Sequence, residues 1–320
     1  MKILIVGSGG REHAIAWKVK QSPLCTELYC APGNVGTADI AKNIPITVDR
    51  VQEMCDWAVA NHIDITIVGP EAPLADGIVD CFMAKGLRIF GPVQAAARME
   101  ASKSFAKEVM IKAGVSTAHG EVFENAATAR EYIKKMGAPI VIKADGLAAG
   151  KGVVVATTME QALHAIDDFM VTATLGASGK TVVIEECLIG KEASAIALVD
   201  GETDAVQLLT ISSDYKRILD NDEGPNTGGM GAISPTPVLG DERGNELVES
   251  IFLPVIRELK KQGINYRGFL YAGLFVESKT GNVKVIEFNC RLGDPETQVI
   301  MMRMESDLLA VIDSALNGKL

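Results

Sequence analysis

Through the first hundred residues, short apolar runs alternate with amphipathic stretches. Ile3-Leu4-Ile5-Val6 leads into residues 13–20, Glu27-Leu28-Tyr29-Cys30 follows, residues 51–61 lead to Ile65-Thr66-Ile67-Val68, and 78–85 lead to Arg88-Ile89-Phe90. Runs of three or four apolar positions separated by helical spacing predict a parallel sheet with helices on both faces. Each run ends in a small turn-forming tip: Gly7-Ser8-Gly9-Gly10, Ala31-Pro32-Gly33-Asn34, Gly69-Pro70-Glu71 and Gly91-Pro92. Tips at the carboxyl ends of such strands are where open α/β sheets bind ligands.

The pattern changes near residue 100. A helical stretch over 102–113 carries Lys103 and Lys107 four apart, and β-rich sequence with hairpin-like turns follows. A boundary at 95–102 is expected, giving domains 1–101 and 102–320. Residues 140–143 and 153–155 read as strands flanking a glycine-rich connection, and 181–187, 193–199 and 205–211 as further, antiparallel strands. Leu247, Ile251, Val255 and Leu259 recur at helical spacing, with Pro254 predicting a kink. A hairpin around Thr280-Gly281-Asn282 joins 269–276 to 283–288, and a helix over 306–316 closes the chain.

Composition narrows the function classes. The 320 residues are 48% hydrophobic, with 31 basic and 41 acidic side chains and a formal charge of −10. At roughly 150 residues per domain this length suits two domains with a full core. The acidic balance argues against nucleic-acid and anionic-membrane partners, so a phosphate ligand must be met by a few placed groups. The six cysteines form no CxxC pair and several sit in apolar runs, which predicts free thiols in a reducing compartment. The short run Ile3–Val6 is neither a signal peptide nor a membrane span, so a cytoplasmic location is expected.

Four motifs carry chemistry. The turn at Gly7-Ser8-Gly9-Gly10 resembles a dinucleotide fingerprint, but its third glycine falls on Glu12 and the second strand ends in Ala31-Pro32 without a ribose carboxylate. NAD and FAD are disfavoured; a smaller phosphate at the helix N-terminus fits, as does a purely structural turn. Lys143-Ala-Asp-Gly-Leu-Ala-Ala-Gly-Lys151-Gly152 places two cations around a glycine loop between strands. It is not a Walker loop, because three residues separate Gly146 from Gly150 and Gly152 follows the lysine. A glycine hairpin over a nucleotide fits, against a structural hairpin. Glu287-Phe288-Asn289 ends an apolar run, so period 2 puts carboxylate and amide on one face, a donor pair suited to Mg²⁺ or Mn²⁺ on phosphates; alone the pattern is weak. Arg291 follows on that face if the strand continues. Gly224-Pro-Asn-Thr-Gly-Gly-Met-Gly231 is expected to be a loop that approaches a ligand or covers it. Glu185, Glu186 and Glu192 are a solvated turn or a nucleotide contact, and His13 is as readily a packing residue as a functional one.

Together Gly7-Ser-Gly-Gly-Arg-Glu-His13, Ala31-Pro-Gly-Asn34, Val68-Gly-Pro-Glu-Ala-Pro-Leu74, Lys143 to Gly152, Gly224 to Gly231 and Glu287-Phe-Asn-Cys-Arg-Leu-Gly-Asp-Pro-Glu296 resemble the glycinamide ribonucleotide synthetases of the ATP-grasp superfamily, collinearly over nearly the whole chain. The resemblance implies a parallel-sheet N-terminal domain, then an ATP-grasp domain with a lid over about 121–192. It implies ATP-dependent ligation of glycine to 5-phosphoribosylamine through a glycyl phosphate. Lys103, Lys143 and the hairpin through Gly150, Lys151 and Gly152 would hold the nucleotide phosphates, Glu186 and Leu188 adenine, and Glu192 ribose, with Glu185 also at ATP, and Glu287 with Asn289 would hold the metal. Gly9, Gly10, Arg11 and Glu71 would hold the sugar phosphate. Arg291 and the Thr227-Gly228-Gly229 backbone would hold the glycine carboxylate, and Asp214 the ammonium. Tyr215 stands where His is expected. The family continues for about another domain, so a C-terminal domain supplied elsewhere is an implied partner, and a chain that binds MgATP without turnover is the alternative.

Overall fold

The computed structural model describes residues 1–148 and 151–320; Gly150, expected at the nucleotide, lies outside the described residues. Strands β1 (Lys2–Gly7), β2 (Glu27–Pro32), β3 (Lys42–Asn43), β4 (Ile65–Val68) and β5 (Ile89–Phe90) form a parallel sheet in the order β3-β2-β1-β4-β5. Alternation along β1 explains its burial on both sides. Leu4 and Val6 join Met54, Cys55 and Phe82, whereas Ile3 and Ile5 join Ile15, Val19, Leu308 and Ile312.

Strands β6 (Gly120–Phe123), β7 (Ile140–Ala144), β8 (Val153–Ala156) and β9 (Val182–Glu186) make an antiparallel sheet in the order β6-β9-β7-β8. It has its own core, in which Ala129 and Ile133 of one helix and Ala162 and Ile166 of another cover Ile142 and Ile184.

Strands β10 (Gly190–Asp200), β11 (Ala205–Leu219), β12 (Glu223–Ile233), β13 (Arg267–Glu277) and β14 (Val283–Asn289) form a second antiparallel sheet, β12-β11-β10-β13-β14. Central β10 is again buried on both faces. Ala193, Ala195, Ala197 and Val199 share a core with the first sheet's Leu4 face, and Ile196 and Leu198 share one with its Ile3 face. The first and third sheets are thereby packed into continuous apolar layers, while the second meets β14 through Lys143 and Glu186, and the segment leading into it bridges to β14 at Thr117 and Val285.

One expectation is corrected and two are refined. The glycine-rich segment 224–231 is not a loop: it lies in β12, an edge strand whose backbone pairs with β11, a pairing that needs no side chains. At Pro254 the helical backbone changes character without a break. A π-turn at Val248–Phe252 absorbs the missing N–H, and the α-helix restarts at Leu253 with proline in its first turn. Period 2 holds for Glu287 to Asn289, but β14 carries a bulge at Ile286 against Gly273–Leu274, so Val285 is buried with Phe288. All six cysteines are free, and among the described residues no helix is long and apolar enough to cross a membrane.

Candidate active site

Lysines gather where the second and third sheets meet. Lys143 ends β7 and donates to the Ile286 carbonyl of β14 at 2.8 Å. Its Nζ also lies 2.6 Å from Glu185 Oε2, and Lys107 Nζ lies 2.6 Å from Glu185 Oε1. Glu185 is 5% exposed with both oxygens occupied, so it fixes Lys143 rather than offering a free carboxylate to a nucleotide. Lys103 opens helix Lys103–Ala113, which Ser102 caps through Phe105 N–H and Asp145 caps through Ser104 N–H at 2.6 Å. Its Nζ donates to the Gly146 carbonyl at 3.2 Å. Burial and nearby Lys143 lower the Lys103 pKa, against the pull of Glu287. Lys151 is exposed, and Gly152 is required because a Cβ there would lie 2.7 Å from Ala148 Cβ.

Glu287 stands among these cations. Burial pushes its carboxyl up, but Lys216, Lys143, Lys103 and Arg291 outweigh it and hold the group below its ordinary value. It is therefore held ionised among four cationic side chains. Asn289 Oδ1 has a 3.4 Å contact from Arg291 Nη2, which leaves acceptor capacity. Among the described residues no group of three or more His, Cys, Asp or Glu could hold a metal ion. A single carboxylate with an amide fits an ion that also uses phosphate and water oxygens.

Arg291, just beyond β14, lies 3.1 Å from Glu71 Oε2 at the tip of β4 and 2.9 Å from Glu100 Oε1. Burial opposes its charge, and Glu100 and Glu71 raise its pKa. At the neighbouring tip, Gly9 N–H donates to Glu12 Oε2 at 2.6 Å and Arg11 Nε bonds Glu12 Oε1. Arg11 also donates through Nη1 to the Leu292 carbonyl at 3.2 Å, so Gly9, Arg11 and Glu71 converge on the segment after β14. Gly10 begins the first helix beside Asp294 and Gln298. Glu12, 1% exposed, fills the space a fingerprint glycine would leave open; a Cβ at Gly7, Gly9 or Gly69 would meet its side chain. His13 packs against Gly36.

On the other side, Lys216 of β11 lies 3.5 Å from Asp214 and 3.6 Å from Glu192 of β10. Thr227 Oγ1 donates to the Lys216 carbonyl at 2.7 Å and accepts Gly229 N–H at 3.1 Å. Gly229 has φ +127° and passes so close to Pro295 that a Cβ would lie 2.5 Å from its ring, while Gly228 has open space. Tyr215 is half-exposed and in register with Gly231. Glu186 Oε1 accepts His119 N–H at 2.8 Å and lies 3.0 Å from Lys284, and its own N–H is used by the His119 carbonyl. Leu188 is half-buried, and its carbonyl accepts the Cys187 thiol at 3.9 Å.

Sequence reasoning missed Glu100, Asp145 and the buried group Glu296–Tyr271–Ser194, in which Tyr271 donates to Glu296 at 2.7 Å. Lys107 was marked by its spacing of four from Lys103 but was given no role.

Two family profiles cover almost the entire chain: phosphoribosylglycinamide synthetase, N domain, over residues 1–100, and phosphoribosylglycinamide synthetase, ATP-grasp (A) domain, over 101–297. A phosphoribosylamine–glycine ligase of Ralstonia nicotianae is 55% identical over the whole chain, which spans 75% of that relative's length. The crystal structure of a phosphoribosylamine–glycine ligase from Thermotoga maritima superposes with a TM-score of 0.85 at 35% identity, covering 100% of this chain and 76% of that one. The biotin carboxylase domain of Hydrogenobacter thermophilus 2-oxoglutarate carboxylase, at 19% identity, covers 99% of this chain and 70% of its own with a TM-score of 0.74, and shares the fold. The chain, a parallel-sheet N-terminal domain followed by an ATP-grasp domain, therefore belongs to the phosphoribosylamine–glycine ligase family of ATP-grasp carbon–nitrogen ligases.

Proposed function

We propose that this chain ligates glycine to 5-phosphoribosylamine with ATP, giving glycinamide ribonucleotide, ADP and phosphate through a glycyl phosphate. The observation that carries this is the 3.1 Å pair of Glu71 and Arg291, which abuts the first sheet's tips to the lysine-lined site at β14. A carboxylate is a poor acyl donor because its leaving group is oxide, so phosphorylation by ATP must come first. Lys103, Lys143 and Lys151 neutralise phosphate oxygens, and Glu185 keeps Lys143 aimed. Glu287 and Asn289 would hold Mg²⁺ or Mn²⁺, which supplies positive charge to the transferred phosphoryl group. Glu186, Leu188 and Glu192 line the nucleoside end.

Arg291 and the Thr227-Gly228-Gly229 backbone face the glycine carboxylate, and Asp214 its ammonium. At the tips, Arg11 and the helix N-terminus after Gly9 and Gly10 suit the sugar phosphate, whereas Glu71 suits sugar hydroxyls. The amine then attacks the acyl carbon and phosphate leaves; no protein nucleophile takes part. Residues 1–101 act as the amine-substrate domain and 102–320 as the ATP-grasp domain, with 121–192 as a lid that keeps water from the acyl phosphate.

The test is glycine-dependent ADP release with and without phosphoribosylamine, beside MgATP binding. Turnover requiring all three substrates supports the reading. Tight MgATP binding without turnover would instead favour a nucleotide-binding chain that needs a C-terminal domain supplied elsewhere. Unchanged turnover in Glu287→Ala removes the metal assignment.

A further inference from the structure

Arg291 is held from two sides by carboxylates of different character. Glu71 takes Nε from the tip of β4 with a side chain 34% exposed. Glu100, at the end of helix Gln94–Ala101, takes Nη2 at 2.9 Å with a side chain 8% exposed. The second oxygen of Glu100 accepts the Cys290 N–H at 2.7 Å. One carboxylate thus grips both the peptide N–H immediately before Arg291 and the far end of its side chain. Cys290 reinforces this anchorage, because its Sγ lies 3.6–3.7 Å from the carbonyls of Ala97 and Ala96 in the same helix.

The two partners can be released at very different cost. A partly exposed ion pair exchanges with water or sugar hydroxyls readily, whereas separating a buried charge from its partner is strongly unfavourable. If Glu71 turns to the sugar of the amine substrate, Arg291 loses its Nε partner and remains fixed at Nη2. Its Nε edge then faces the carboxyl group that is activated and attacked.

We propose that Glu100 is the positioning residue of Arg291, keeping the guanidinium aimed at glycine while Glu71 is exchanged for the amine substrate. The proposal rests on the ligase reading above. It assigns Glu100 no contact with substrate. It also explains why a carboxylate is spent inside the junction of helix Gln94–Ala101 with β14, where an apolar side chain would pack without a desolvation penalty.

The test uses the 320-residue chain with Glu100→Gln, Glu100→Asp and Arg291→Lys. Glycine binding is measured by calorimetry in the presence of Mg²⁺ and a non-hydrolysable ATP analogue, and kcat/KM for glycine is measured in parallel. Glu100→Gln keeps an acceptor for Cys290 N–H but removes the charge beside Arg291. Glycine affinity and kcat/KM are expected to fall by about ten-fold or more while analogue affinity changes by less than about two-fold, with part of the loss restored in Glu100→Asp. In the Arg291→Lys background, Glu100→Gln should add less than about two-fold, because its effect acts through the arginine. A merely structural role would give effects that multiply, and that result, or unchanged glycine binding in Glu100→Gln, overturns the proposal. Should Glu100→Gln fail to fold, the same comparison on Glu100→Asp decides. A wild-type chain that binds glycine without turnover defeats the ligase reading, yet its glycine affinity still decides the role of Glu100. Failure to bind glycine defeats both.

Discussion

Glu71 and Arg291 are 220 positions apart and meet at 3.1 Å, tying the tip of β4 to the end of β14. On the proposed reading, it sets the tip that meets the amine substrate against the site where the acyl phosphate forms. Glu71→Gln keeps the shape but loses the charge proposed to meet the sugar hydroxyls. KM for phosphoribosylamine should rise by about ten-fold, with KM for ATP nearly unchanged, since one charged hydrogen bond contributes about 1.5–3 kcal/mol. Steady-state kinetics with each substrate varied in turn would show this; an equal rise in both constants would mean that the site as a whole had loosened.

The same pair makes stability depend on pH. Burial pushes the Glu71 carboxyl up from its ordinary 4.5, but Arg291, a backbone hydrogen bond and Arg11 together leave it lower. A carboxylate with a depressed folded pKa binds fewer protons in the native state, so its contribution is present above about pH 4.5 and is lost as pH falls through the folded value. Because the side chain is 34% exposed, solvent screening limits the contribution to about 1 kcal/mol. Urea unfolding of wild type and Glu71→Gln should differ by that amount at pH 7 and converge near pH 3. A gap that persists at pH 3 would assign the difference to packing.

Glu185 is expected to be far more costly to remove. It separates Lys107 from Lys143 with both oxygens at 2.6 Å, and all three side chains are largely buried. Glu185→Ala leaves two buried ammonium groups without their counter-charge, a loss of about 3–5 kcal/mol by analogy with broken buried pairs. MgATP affinity should fall with it, because Lys143 loses its anchor. Lys107→Met should affect stability but leave nucleotide binding much nearer wild type, which calorimetry can separate. Equal losses of nucleotide binding in the two variants would contradict the division of labour between the lysines.

How far these features could be read beforehand follows from their range. The first sheet was visible because β1 and β4 are buried on both faces and therefore read as unbroken apolar runs. Glu287 and Asn289 were visible because period 2 acts over three residues. Glu100 was not, because its partner peptide at Cys290 is 190 positions away and nothing in its own helix marks it. The glycines of β12 suggested a loop because glycine has low strand propensity, yet an edge strand is held through its backbone, which composition does not report. The broken dinucleotide fingerprint was noticed, but the replacement at Glu12 gained meaning only when the side chain was seen to fill the space between three glycines.

That filling gives a prediction of coupled signs. A Cβ at Gly69 would run into the Glu12 carboxylate, and the same carboxylate accepts Gly9 N–H and Arg11 Nε. Gly69→Ala must therefore displace a buried, hydrogen-bonded side chain, at a cost of about 1–3 kcal/mol from overpacking. Glu12→Ala removes the acceptor from a buried donor on Arg11 and a part-buried one on Gly9 and leaves a void, which is also destabilising. In the double variant the new methyl enters space that Glu12 has vacated, so the losses should be clearly less than additive, with a coupling of about 1 kcal/mol or more. Thermal or urea unfolding of the four proteins measures this directly. Additive losses would show that Gly69 is required by its backbone rather than by Glu12. A gain of NAD binding in Glu12→Ala would show that the carboxylate alone had been excluding a dinucleotide; none is expected, because β2 ends in Ala31-Pro32 with no carboxylate to meet an adenosine ribose.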